Sequence, residues 1–379
     1  MGGGGADGGS KEIPVISSSQ KMKQRIGVLT SGGDCPGLNA VLRAVVLAAD
    51  KLGWEAIGFR DGFEGLLPPG NHVVLDRQAV NGIMALGGTI LGTTNRGHFV
   101  AKVGAGHRKV VPANIIADAR KILEDLRVRA LIVVGGDGSL VTAQQLQETG
   151  INCIGVPKTI DNDLEATATT FGFDSAVDVV VDALDRLHTT ATSHRRVIVV
   201  EVMGRHAGWI ALQSGIAGGA DIILIPEIPF DYDKLASVIK LRETAGYLGT
   251  VVVVAEGARP KHGEQVKRDV EGGEFRLGGI GEIVAREIAK LTGKETRCCV
   301  LGHLQRGGAP TTLDRILATR FGVKAVQLAN EGHFGSMVSY QNYQVRHVPI
   351  AEAVNRLKLV PPNGELVQTA RDVDISFGD

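Results

Sequence analysis

The chain has no surplus of either charge: 41 Lys and Arg stand against 41 Asp and Glu in 379 residues. A general binder of nucleic acid or of an anionic membrane needs a basic excess, so the balance argues against both classes. Aromatic residues make up 4% of the sequence, too few for a row of base-stacking platforms. Cysteine is scarce as well. Cys35, Cys153 and the neighbours Cys298 and Cys299 have no CxxC spacing, which argues against zinc and a disulfide framework and favours reduced thiols in a cytoplasmic protein. No apolar run reaches the ~18 residues that a membrane-spanning helix needs. The opening "MGGGGADGGSKEIPVISSSQ" lacks the apolar stretch of a secretory signal. Residues 1–21 are low in complexity and are expected to form a disordered extension.

What the sequence does have is a repeated rhythm of apolar run, glycine-rich turn and helical pattern. Ile26–Leu29 is followed by "TSGGDCPG" and a helix-like Leu38–Leu52, and Ala130–Val134 by "GGDGS" and a helix through the 140s. Asn152–Val156 leads into "PKTIDND", Val197–Val202 into "MGRHAG", and Val251–Ala255 into "EGARP". Continuous Val/Ile/Leu strands indicate a parallel sheet covered on both faces. Such α/β sheets bind ligands at the carboxyl ends of their strands, where these motifs fall. The polar stretch from Arg259 to Leu277 is expected to be a surface excursion. The tail beyond Pro361 is weakly patterned, and Trp54 is assigned to packing.

Two of the turns carry Gly-Gly-Asp, at Gly32–Asp34 and Gly135–Asp137. Glycines let backbone N–H groups approach an anion, and the following helix N-terminus adds partial positive charge. A carboxylate inside such a loop would repel phosphate unless Asp137 holds a Mg²⁺ that bridges phosphate oxygens. Gly-Gly-Asp is also ordinary tight-turn chemistry, but its use at two strand ends favours the anion cradle. The GxxxxGK[ST] and GxGxxG fingerprints are absent, which excludes a P-loop NTPase and an ordinary dinucleotide dehydrogenase. Arg196, Arg205, Arg297 and Arg306, with His303 nearby, form a candidate anion-binding set, because the guanidinium fork suits phosphate.

Taken in order, "GVLTSGGDCPGLNAVLRAVV", "GGDGS", "PKTIDND", "FGFDSAV", "VVEVMGRHAGW", "VAEGA" and "VLGHLQRGG" resemble the 6-phosphofructokinases from about Ile26 to Pro349. The resemblance implies an α/β fold of two Rossmann-like three-layer domains, mainly parallel, with the active site in the cleft between them. The expected boundaries are 22–172 with about 305–355 for the donor domain, and about 173–304 with 356–379 for the sugar-phosphate domain.

The implied reaction moves a phosphoryl group to the 1-hydroxyl of fructose 6-phosphate in glycolysis. By resemblance Asp161 is the general base, Thr159 and Arg205 assist it, and Asp163 orients or tunes Asp161. Gly33, Arg96, Gly136, Asp137, Gly138, Ser139 and Lys158 fall to the donor, with Asp137 on Mg²⁺. Met203, Gly204, Arg205, Glu256, His303 and Arg306 fall to the sugar phosphate. Arg196 and Arg297 match arginines that reach the 6-phosphate from a neighbouring subunit, which implies a homodimer or homotetramer.

Several positions depart from the family pattern. Lys158 is typical of pyrophosphate users, whereas Gly138 leaves space for a nucleotide α-phosphate that an Asp would fill and repel. The combination resembles a longer subgroup of the family, and ATP is the expected donor, with pyrophosphate or ADP the alternative. Asn95 stands where the phosphate-contacting arginine is usual, with Arg96 one residue on, and Thr142 replaces a glycine on the adenine side. Of the family's basic effector-site residues Arg43 remains, while Leu47, His188, Ala245 and Tyr247 occupy four others, which implies weak or absent phosphoenolpyruvate or ADP control of that type. A non-catalytic sugar-phosphate sensor is the reading from another functional class.

Overall fold

The structure is a computed structural model that describes residues 1–3, 23–95, 97–99, 110–270 and 274–379. Most of the expected N-terminal extension, and Arg96, lie outside these residues.

Along the chain, β1 (Arg25–Ser31) leads into α1 (Leu38–Lys51), β2 (Glu55–Phe59) and β3 (His72–Leu75). After α2 (Ala113–Asp125) come β4 (Val128–Gly135), α3 (Asp137–Glu148) and β5 (Cys153–Pro157). A second stretch runs α4 (Phe173–His194), β6 (Val197–Val202), α5 (Trp209–Ala217), β7 (Ile222–Leu224), α6 (Tyr232–Thr244) and β8 (Thr250–Ala255). The hairpin β9 (Lys267–Val270) and β10 (Glu274–Leu277) precedes α7 (Ile280–Thr292) and β11 (Thr296–Val300). Then follow α8 (Thr312–Glu331), β12 (Ser336–Gln341), β13 (Gln344–Pro349), α9 (Ile350–Val354) and α10 (Glu365–Asp372).

The strands form a seven-stranded sheet in the order β13-β12-β5-β4-β1-β2-β3 and a four-stranded sheet in the order β11-β6-β8-β7. The smaller sheet is parallel throughout, and in the larger one the edge strands β13 and β3 pair antiparallel while the rest are parallel. All six residues of β6 and all six of β8 are buried, as their unbroken Val/Ile pattern predicts. Each such Val or Ile withdrawn from water contributes about 1.5–3 kcal/mol, so strand identity is set by burial more than by local propensity. Helices α1 and α8 cross closely over the larger sheet at Gly322, where a Cβ would stand 2.7 Å from the Val41 carbonyl.

The strand order creates the ligand site. From β1 the chain moves outward to β2 on one side and later to β4 and β5 on the other, so the connections part between β1 and β4, where α/β sheets open a crevice. Both Gly-Gly-Asp turns sit at this point.

Three local expectations take a definite form. The excursion after Arg259 contains the β9–β10 hairpin. The tail beyond Pro361 forms α10, with Val367 and Ala370 buried, and Ser376 then bridges Ile222 at the edge of the smaller sheet. Trp54 packs in the core periphery with the Arg129 guanidinium 5.7 Å from its ring centre. All four cysteines are free thiols.

Candidate active site

A cavity of about 360 Å³ opens at the carboxyl ends of β1, β4 and β5 and is closed on its far side by residues that follow β6 and β11. Its wall includes Gly33, Gly136, Asp137, Gly138, Ser139, Lys158, Thr159, Asp161, Arg205 and Arg306. Ten of the residues singled out from the sequence therefore meet in one hollow. Asn95 and Thr142 also line it.

The donor end is built from the two glycine turns. Gly136 caps α3, so the first N–H groups of that helix face the hollow beside Asp137. Ser139 Oγ donates to Ser31 Oγ at 3.0 Å and joins the second turn to the first. A Cβ at Gly33 would stand 2.5 Å from Arg306 Nη1, so glycine here leaves room for the guanidinium in its present position. Arg306 Nη1 in turn donates to the Asp34 carbonyl at 3.1 Å, so this arginine reaches from the smaller-sheet side onto the loop after β1. Lys158 is buried, and its ammonium donates to the Gly33 carbonyl. Burial pushes its pKa down, opposed by the nearby Cys35, Asp34 and Asp163. Thr142 donates its hydroxyl to the Phe99 carbonyl at 3.0 Å, and Phe99 stacks on Phe63 at 5.4 Å between ring centres, giving that end a partly aromatic wall.

The loop after β5 carries the carboxylates. Asp161 N–H donates to Thr159 Oγ1 at 3.1 Å, which ties the turn to itself. One carboxylate oxygen of Asp161 and one of Asp163 are buried without a hydrogen-bond partner. Burial first, and then the like charge of Asp163, push the Asp161 pKa up to about 7, against the pull of Arg306. Asp163 is raised as well, mainly by burial, while its own backbone N–H and Thr159 oppose the shift. A carboxylate poised near neutrality beside cations suits proton transfer.

The other sugar-side candidates follow the strands that supply Arg205 and Arg306 to the cavity. Met203, Gly204 and Arg205 continue from β6, Glu256 from β8, and His303 and Arg306 from the 3₁₀ turn Gly302–Arg306 after β11. Backbone bonds carry the register past the strand ends: Glu256 N–H to the Val202 carbonyl at 2.8 Å and Leu301 N–H to the Glu201 carbonyl at 3.0 Å. Glu256 is pushed up to about 7 by burial and by Glu201, with Arg306 and Arg205 pulling it down. His303 and Arg205 are exposed.

Arg196 and Arg297 are not part of this group. They stand at the amino ends of β6 and β11, with Glu295 between them: Arg196 Nε lies 2.8 Å from one of its oxygens and Arg297 Nη2 2.5 Å from the other.

Sequence reasoning missed three side chains that shape the site. Gln305 is buried; it accepts the Met203 N–H at 3.2 Å and donates to the Gly302 carbonyl at 3.0 Å, locking the two sugar-side turns together. Glu201 is buried and accepts from Gly279 and Gly281 N–H at the start of α7. Lys358 binds the far side of the Asp161 loop. Gln305 lies inside a quoted motif and was readable as an amide between turns, whereas Lys358 has no local pattern.

Two glycine turns at a switch point, a near-neutral carboxylate and facing guanidinium groups define a phosphoryl-transfer type of α/β site. Residues 25–329 match the sequence model of the phosphofructokinase family. The chain belongs to that family. It is 53% identical over 360 residues, 94% of this chain and 98% of the relative, to an ATP-dependent 6-phosphofructokinase of Chloroflexus aurantiacus. It is 51% identical over 343 residues, 89% of this chain and 96% of the relative, to a pyrophosphate–fructose 6-phosphate 1-phosphotransferase of Streptomyces coelicolor. Phosphofructokinase from Saccharomyces cerevisiae superposes with a TM-score of 0.77 at 32% identity, over 88% of this chain and 45% of the yeast chain.

Proposed function

We propose that the protein transfers the terminal phosphoryl group of ATP to the 1-hydroxyl of fructose 6-phosphate, yielding fructose 1,6-bisphosphate in glycolysis. The observation that carries this reading is the presence of Asp161, with a pKa of about 7, in one cavity with the Gly136–Ser139 helix start, Arg205 and Arg306. Asp161 takes the sugar hydroxyl proton as the new P–O bond forms, and Asp163 keeps its basicity high. Arg205, Arg306, the α3 N-terminus and Lys158 balance the charge that spreads over the phosphoryl oxygens in a loose transition state. Gly33 leaves space for that group. Thr159 holds the phosphates, and Met203, Gly204, Glu256 and His303 hold the sugar.

The residues present fit Mg²⁺. Among the described residues no three metal-binding side chains cluster, but Mg²⁺ bound to a polyphosphate takes only one or two carboxylates, and Asp137 lines the donor end. Asp137 would hold Mg²⁺ at the donor end, where the ion would supply positive charge against the polyphosphate.

Gly138 favours ATP, because it has no side chain to fill the space of an α-phosphate. Lys158 favours the second reading, pyrophosphate, since its ammonium faces the same end; here it is engaged by the Gly33 carbonyl. Relatives of both kinds stand near 50% identity, so donor choice rests on these two positions. Turnover of fructose 6-phosphate measured with ATP, ADP and pyrophosphate on one preparation tests the assignment. The largest kcat/KM is expected with ATP. Turnover with pyrophosphate alone replaces the donor, and ligand binding without transfer supports the sensor.

The functional unit is a cytoplasmic homodimer or homotetramer in which Arg196 and Arg297 complete the partner's sugar-phosphate pocket. No described helix is long and apolar enough to cross a membrane. The domain division is 22–172 with about 305–355, and about 173–304 with 356–379, each part centred on one sheet.

A further inference from the structure

Lys358 follows α9, far from every motif in the cavity, yet it is bonded to the Asp161 loop from behind. Its ammonium donates to Asn162 Oδ1 at 2.9 Å and to the Thr167 and Ala168 carbonyls at 3.0 Å each. Those three bonds use all three donors of the group on neutral oxygens. Such an arrangement is unusual for a lysine, which more often leaves its charge in water. Burial pushes its pKa down to about 8, which still leaves it charged at neutral pH.

The acceptors have a direct bearing on the base. Asn162 stands between Asp161 and Asp163, buried, with a left-handed φ of 51°, and its Oδ1 also accepts the Thr170 N–H at 3.2 Å. Thr170 Oγ1 donates to the Thr159 carbonyl at 2.7 Å, so the turn is closed on itself around Asn162. The same lysine reaches the other half of the cleft through its backbone. Its N–H donates to the Asp163 carbonyl at 2.9 Å, and its carbonyl accepts Trp209 Nε1 at 2.8 Å, just after the Met203–Arg205 turn. Its ammonium also lies 5.7 Å from the Trp209 ring centre. Two residues on, Val360 N–H donates to Glu227 Oε1, whose carboxylate also accepts the Gly208 N–H.

We infer that Lys358 is a positioning residue for phosphoryl transfer: it clamps Asn162, fixes the direction of the Asp161 carboxylate, and holds that loop in register with the sugar-side turn before Trp209. The inference rests on Asp161 being the base. It assigns a role in the chemical step to the C-terminal segment, whose own sequence shows no motif.

The test uses the full-length enzyme with Trp54→Phe, so that Trp209 is the one tryptophan. Lys358→Met keeps the length of the side chain and removes its donors. Loss of alignment is expected to lower kcat by about ten- to 10²-fold. KM for ATP and fructose 6-phosphate should stay within about threefold, because Lys358 does not line the cavity. Trp209 emission should shift, and Lys358→Arg should recover most of kcat. Asn162→Gly tolerates the left-handed backbone while removing the acceptor, and its loss should not add to that of Lys358→Met. Additive losses overturn the route through Asn162. A folded Lys358→Met with kcat within twofold of the parent overturns the proposal, even with a lowered Tm. Should that variant fail to fold, Lys358→Gln is judged on the same readouts. Asp161→Asn run alongside separates the two readings. If it retains activity, the base assignment falls; if it is inactive while Lys358→Met is not, the clamp alone falls.

Discussion

The two sides of the cleft are built to different degrees of completeness. On the donor side, residues from β1, β4 and β5 close into a cavity with every donor-binding candidate among the described residues on its wall. On the sugar side, Arg205 and Arg306 reach the cavity, while Arg196 and Arg297 sit at the opposite ends of β6 and β11. Strands of five or six residues separate the two ends by roughly 17–20 Å. No rotamer spans that gap. Side β11 is also a half-exposed edge strand, with Val300 at its end half exposed, where β6 and β8 are buried throughout. The donor candidates thus meet within one chain, and under the proposed function the acceptor half draws Arg196 and Arg297 from a second copy.

The sharpest way to break this contrast is at its junction. Asp161→Asn should lower kcat by about 10²–10⁴ with sugar binding largely retained; steady-state kinetics with both substrates varied checks it, and activity within about tenfold of the parent removes the base role. On the donor side alone, Gly138→Asp should lower kcat/KM for ATP by on the order of 10², since a carboxylate would face phosphate at close range. Unchanged ATP turnover would undo the steric argument.

On the acceptor side, Arg297→Ala should raise KM for fructose 6-phosphate about ten- to 10²-fold, the loss of a charge-assisted bond, with KM for ATP held. Mixing that variant with Asp161→Asn subunits should restore part of the activity if sites are shared. No recovery in verified hybrids would return the sugar pocket to a single chain.

A smaller effect comes from pH. With the Asp161 base near 7, kcat should fall about tenfold per unit below that value and level off above it. Stability should run the other way. The folded chain holds the Asp161 proton more tightly than the unfolded chain does, so this group's contribution is full below the ordinary carboxylate range and is lost as pH rises through about 7. Asp161→Asn should therefore raise Tm at pH 8, a difference that scanning calorimetry can read.

The sequence carried the strand-turn-helix units well, because unbroken runs such as "VIVVEV" have few other buried solutions and glycine turns have few other conformations. It also placed Gly33, Asp137 and Asp161 together, since all three follow adjacent parallel strands. It carried less where the contact is long-range and the residue common. Lys358 meets Asn162 across 196 positions, in a segment without period, and α10 is too short for its apolar face to stand out. Arg96, one residue from Asn95, lies outside the described residues.

The hydroxyl pair Ser31–Ser139 has a bearing on how the enzyme meets its donor. Because it couples the two glycine turns before anything is bound, it reduces the ordering that a polyphosphate has to impose on association. Severing that link would surface in residence time, as a donor that leaves sooner.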